Sequence, residues 1–127
     1  DAQLTLAQSS KLSGSIVIST PQEVALTDAR KGINMFKKVD VDILGIVENM
    51  SYFVCDNCDE KHYIFSKDGG VKEAKNFKVP FLGSLPINKK LRQQSDEGLP
   101  CCVDEPGSEM SKKYLSIAKN LDNSLNT

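Results

Sequence analysis

Cys55-Asp56-Asn57-Cys58 places two thiols at the C-x₂-C spacing of a metal-gripping turn. Two thiolates so placed can hold one soft or borderline metal, yet they fill only half of a tetrahedral shell. The missing ligands must come from elsewhere in the chain or from a second copy of it. A zinc ion and an iron–sulfur cluster both suit such a pair, and spacing alone leaves both open. An intrachain zinc would take Cys55, Cys58 and two of His62, Cys101 and Cys102. His62 follows Cys58 at a finger-like interval, but the second half of a finger is missing, so His62 is not expected to be a ligand. Adjacent Cys101 and Cys102 tend to point apart and read as packing or incidental thiols.

The bulk properties narrow the setting of this pair. A length of 127 residues suits one domain. With 39% hydrophobic and 26% charged residues, the chain is an ordinary folding sequence rather than a disordered one. Lys plus Arg number 16 against 17 Asp plus Glu, so no long-range pull toward a phosphate backbone arises and no nucleic-acid partner is expected. No apolar run reaches the roughly 18 residues of a membrane span, and no membrane partner is expected. No basic leader followed by an apolar secretory segment is visible. Four cysteines in this arrangement make a poor disulfide framework and favour a reducing compartment. The cytoplasm is the first expectation, with a mitochondrial or other organellar setting left open.

The elements that must position the pair alternate. Leu4, Leu6, Ala7 and Leu12 give a short helix one apolar side, stopped by Ser13-Gly14. Ser15-Ile16-Val17-Ile18-Ser19 reads as a buried strand. Thr20-Pro21-Gln22-Glu23 has capping-box spacing, with Thr20 as N-cap and Pro21 at the first helical position. Val24, Ala25, Ala29, Ile33 and Phe36 then carry a helix to about Lys38. Leu44-Gly45-Ile46-Val47 is the next strand. Residues 51–65 break the alternation as a small knuckle with a short hairpin. Gly69-Gly70 leads into a helix near Val71 to Asn76, and a strand follows over Val79 to Leu85 with Pro80 at its start. A helix near Lys89 to Asp96 ends before Gly98. A last helix after Ser108 turns Met110, Tyr114, Ile117, Ala118 and Leu121 to one face, before a polar tail over 122–127. Apolar strands joined through helices imply parallel pairing by right-handed crossovers, with cover on both faces.

The fold class is therefore α/β, read as the later half of a doubly wound, mostly parallel sheet, with residues 1–121 as a partial domain. The residues then carry a specific likeness. Ser19-Thr20-Pro21-Gln22-Glu23-Val24-Ala25, Asp28-Ala29-Arg30-Lys31-Gly32, Leu44 to Ser51 and Cys55-Asp56-Asn57-Cys58 together resemble the Mrp/NBP35 family of deviant P-loop ATPases. Phe81-Leu82-Gly83-Ser84-Leu85-Pro86 and Ser95-Asp96-Glu97-Gly98 extend the likeness over most of the chain. That family is similar in fold to the septum-site protein MinD. The resemblance implies a dimeric scaffold that assembles and delivers iron–sulfur clusters to apoproteins, as a homodimer or a heterodimer of related subunits. It implies a 4Fe–4S cluster bridged across the dimer by Cys55 and Cys58 of each subunit, and ATP with Mg in the intact protein. It also implies that Asn49 meets the adenine edge and that Pro86 and Ile87 wall the base. Bare local sequence reads Asn49 as a turn residue and Pro86 as a loop former. Neither G-x-x-x-x-G-K-S/T nor K-G-G-x-G-K-S/T occurs in the 127 residues, so this chain alone is expected to be catalytically incompetent within an ATPase parent. Asp1 is expected to be the last acidic residue of the second switch segment. The rival reading is a zinc-stabilised α/β interaction module without enzymatic activity.

Overall fold

β-branched runs and glycine-marked turns produce the expected alternation in the computed structural model, which describes residues 2–125. Asp1, assigned above to a switch segment, lies outside the described residues, as do the last two residues of the polar tail. The elements are α1 (Ala2–Ser9), β1 (Ser15–Ser19), α2 (Glu23–Lys38), β2 (Ile43–Glu48), β3 (Phe53–Val54), β4 (Lys61–His62), α3 (Gly69–Phe77), β5 (Phe81–Ser84), α4 (Lys89–Asp96), α5 (Cys101–Asp104) and α6 (Glu109–Leu125). Strands β1, β2 and β5 form a parallel sheet in that order, and β3 pairs with β4 as a separate antiparallel hairpin.

Alternation along β2 sends neighbouring side chains to opposite faces, and each face has its own core. Ile46 joins Val17, Ile33 and Ala74 beneath α2 and α3. Val47 joins Leu82, Leu85, Cys101 and Met110 beneath α5 and α6. Gly45 is required where the strands meet, because a Cβ there would lie 2.4 Å from Leu82 Cγ. The second face is covered only over β2 and β5; Ile16 and Ile18 of β1 stay exposed.

Several local expectations shift. The N-cap of α2 is Gln22, without a side-chain capping bond, and Thr20 Oγ1 instead donates to Gln22 Oε1 at 3.1 Å. Pro21 is buried against Gly69 of α3 and its carbonyl accepts from Ser66, so tertiary packing holds that residue outside the helix. Helix α1 ends at Ser9, before Leu12, with Leu6 exposed. Helix α3 begins at Gly69 itself, after Asp68 in a left-handed conformation. Helix α6 runs past Leu121 to Leu125, and Tyr114 and Ala118 remain exposed while Met110, Ile117 and Leu121 face the sheet. Arg30 bridges α2 to α3 through Glu73 at 2.6 Å, a structural task, and that bond raises the guanidinium pKa.

Candidate functional site

Parallel strands deliver their carboxyl ends to one edge, where the loops that follow them converge. Here the loop after β2 is the cysteine excursion and the loop after β5 is the Pro86-Ile87-Asn88 turn. Backbone bonds tie them together: Ser51 N donates to Leu85 O at 2.9 Å, and Ile87 N to Tyr52 O at 2.7 Å. Phe53 and Ile87 also form an isolated parallel bridge. At the end of β2, the buried Glu48 side chain accepts from Ser51 Oγ at 2.7 Å and from Gly70 N at 3.3 Å. One carboxylate thus holds the chain where it leaves the sheet and where it returns.

The hairpin between those points carries the candidate metal donors. Phe53 faces His62 and Val54 faces Lys61 across β3 and β4, and Cys55 N donates to Glu60 O at 3.0 Å. Asp59 N closes the turn onto Cys55 O at 2.9 Å. Alternation places Cys55 and His62 on the same hairpin face as diagonal neighbours, and the turn brings Cys58 back toward both. The Cys55 and Cys58 sulfurs and a His62 ring nitrogen lie within 4.8 Å of one another. Among the described residues no other His, Cys, Asp or Glu joins them. His62, not expected as a ligand from the sequence, thus lies close enough to be a candidate donor; its interval was visible, but the cross-strand register that brings it there was not. The intrachain shell drawing on Cys101 or Cys102 is corrected. Cys101 is buried in the core under α6, where Ser111 Oγ bonds its carbonyl, and Cys102 is exposed on α5.

Electrostatics favour the thiolate at Cys55. Backbone N–H groups of Asn57 and Cys58, then the Cys58 side chain, hold its pKa below the ordinary thiol value, against partial burial and the charge of Asp56. Cys101 moves the other way, pushed up mainly by burial. The knuckle is anchored by Tyr52, whose buried ring lies 5.9 Å from that of Tyr63 and has Lys61 Nζ at 4.9 Å and Lys113 Nζ at 5.5 Å. Tyr52 is thus local core, whereas Met50 is exposed.

Asn49, Pro86 and Ile87 line one cleft of about 520 Å³ together with Met50, Leu91 and Arg92. That volume lies in the range of small-ligand sites. Asn49 Oδ1 accepts from Met50 N at 2.9 Å, which supports Met50 at φ 52° and leaves the amide NH₂ as the donor toward the cleft. Asn49 is thus a turn former as well as a candidate ligand. A second groove of about 620 Å³ lies on the other side of the turn, between the hairpin and α6, and shares Pro86, Ile87, Asn88 and Lys89 with the first.

This is the α/β architecture of P-loop NTPases, with ligand loops gathered at the carboxyl edge of the sheet. The chain belongs to the ParA-type family described as the NUBPL iron-transfer P-loop NTPase, which it matches over residues 1–122. It is 49% identical over 121 residues to an iron-sulfur protein required for NADH dehydrogenase, mitochondrial, from Arabidopsis thaliana, covering 95% of this chain and 39% of that protein. It is 45% identical to an iron-sulfur cluster carrier protein of Escherichia coli K12, covering 93% of this chain and 32% of that one. Among solved structures it superposes on a nucleotide-binding protein in complex with ADP from Archaeoglobus fulgidus, with Co found by PIXE, at a TM-score of 0.71 and 37% identity, over 87% of this chain and 44% of that one. It also superposes on MinD with Mg-ADP from Pyrococcus horikoshii at a TM-score of 0.64 and 25% identity, over 91% and 44%. The chain thus spans less than half the length of these relatives. No helix among the described residues is long and apolar enough to cross a membrane.

Proposed function

We propose that this chain is the cysteine-bearing, base-binding part of an ATP-dependent iron–sulfur cluster carrier. The observation that carries the reading is a pair of accessible thiols on an exposed hairpin, rimmed by exposed Val54, Tyr63, Ile64 and Phe65. The family membership and the names of the relatives support the same cargo.

A 4Fe–4S cluster takes four thiolates, and each chain offers the two of Cys55 and Cys58. Two-fold pairing of this chain, or pairing with a related subunit, completes the set, and the apolar rim is the surface that pairing would cover. The cluster is cargo rather than a resident group. Held half by each partner near solvent, it can pass to an acceptor apoprotein when the partners separate.

Nucleotide fits the chain in part. The Asn49, Pro86 and Ile87 cleft suits the base, whereas phosphate and Mg call for a loop that these 127 residues do not contain. ATP bound in the intact protein would supply the free energy that biases dimer geometry, while the residues here orient the base. The setting we expect is a reducing one, cytoplasmic or mitochondrial.

Anaerobic reconstitution of the full-length protein with iron and sulfide tests the reading. Iron and acid-labile sulfide in a ratio near one, two chains per cluster, and loss on Cys55→Ala or Cys58→Ala are expected. Uptake that survives both substitutions would overturn it.

A further inference from the structure

The hairpin brings together more donors than a bridged cluster uses. A cluster shared between two chains needs only the sulfurs of Cys55 and Cys58, yet a His62 nitrogen lies within 4.8 Å of both. We propose that Cys55, Cys58 and His62 of one protomer form a mononuclear site for a thiophilic divalent cation such as Zn²⁺ or Fe²⁺, with the fourth position left open.

Three observations support this. The first is register: Phe53 pairs with His62, which puts the imidazole diagonal to Cys55 on one face, and the Asp59-to-Cys55 turn bond folds Cys58 over the same spot. The second is chemistry, since thiolate and imidazole are the donor types that zinc and ferrous iron take together. The third is support: Tyr52, packed on Tyr63 and flanked by Lys61 and Lys113, holds both strands of the hairpin against the body of the protein. A shell of three protein donors leaves room for water or an incoming thiolate, the arrangement that permits exchange rather than permanent sealing. The site forms within one chain and needs neither nucleotide nor partner. It goes beyond the carrier reading and does not rest on it. Because it uses the same two sulfurs, a bound divalent cation and a bridged cluster exclude each other at one hairpin.

Cobalt(II) is the probe, added anaerobically to metal-free full-length protein. Saturation at one Co²⁺ per chain is expected, with thiolate-to-cobalt charge transfer and tetrahedral d–d bands. His62→Ala should weaken Co²⁺ binding by at least about 10- to 100-fold, the range that losing an outer-shell partner already produces. Its d–d bands should shift while charge transfer persists. His62→Cys should restore tight binding. His62 is exposed, so far-UV circular dichroism should be unchanged in both variants. The proposal is overturned by His62→Ala with wild-type affinity and spectrum, by saturation at one Co²⁺ per two chains, or by lost binding that His62→Cys does not restore. Iron and sulfide uptake by His62→Ala reads the carrier function separately, so the failure of either reading is distinguishable from failure of the other.

Discussion

Severing the Glu48–Ser51 contact should loosen the cysteine excursion where it leaves the sheet. Both residues are buried, at 3% and 4% exposure, so neither group can exchange its partner for water. The Ser51 Oγ to Glu48 Oε2 distance of 2.7 Å is that of a strong hydrogen bond to a carboxylate, whereas the Gly70 N contact at 3.3 Å is long and weak. Hydrogen bonds to charged groups contribute about 1.5–3 kcal/mol, so nearly all of the coupling should reside in the serine. In a double-mutant cycle of Glu48→Ala and Ser51→Ala, the cavity left by glutamate cancels. The expected interaction energy from urea unfolding of the full-length protein is about 2 kcal/mol. Cleavage within 51–69 in limited proteolysis should rise in parallel. Additivity within about 0.5 kcal/mol would refute the argument that one carboxylate ties the hairpin to the sheet.

Other perturbations read other parts of the design. Gly45→Ala would set a Cβ 2.4 Å from Leu82 Cγ in a core position 2% exposed, and should cost about 1–3 kcal/mol in a denaturation curve; unchanged stability would show the sheet can yield there. A lowered pKa means more thiolate at any pH below the ordinary thiol value of 9.0, so alkylation of Cys55 in metal-free protein should have its midpoint below that pH. Cys101, pushed up by burial, should have its midpoint above it, and the reverse order would contradict the site's electrostatics. Asn49→Asp keeps the oxygen that holds the Met50 turn and removes the amide donors, so ADP binding to full-length protein should weaken about 5- to 10-fold by calorimetry, the loss of roughly 1 kcal/mol. Wild-type affinity would remove Asn49 from the base site. Exchange of the Ile87 amide proton should slow when ADP is added, since its acceptor, Tyr52 O, belongs to the hairpin; an unchanged rate would separate the cleft from the knuckle.

Much of this architecture was legible because strong local signals agreed with tertiary need. The Ile16-Val17-Ile18 run, Leu44 to Val47 and Phe81 to Leu85 became the parallel sheet, and Asn49, Pro86 and Ile87, singled out by the family resemblance, line one cleft. Thr20 shows where local reasoning loses: its spacing fits a cap, but Pro21 is committed to packing under Gly69, so the helix starts later. Helix α5 escaped notice because Pro100 and Pro106 bracket too few residues for periodicity to show. His62 was visible as an interval, but its nearness to the two cysteines was not, since facing across strands depends on register, which a two-residue strand does not advertise.

The Pro86–Ile87 turn stands as a party wall between two tenants. A base resting against one side and a metal-laden hairpin hung from the other would share the backbone hydrogen bonds from Ile87 N to Tyr52 O and from Ser51 N to Leu85 O. With those bonds common to both, a shift on one side would have a direct route to the other and need no long-distance messenger.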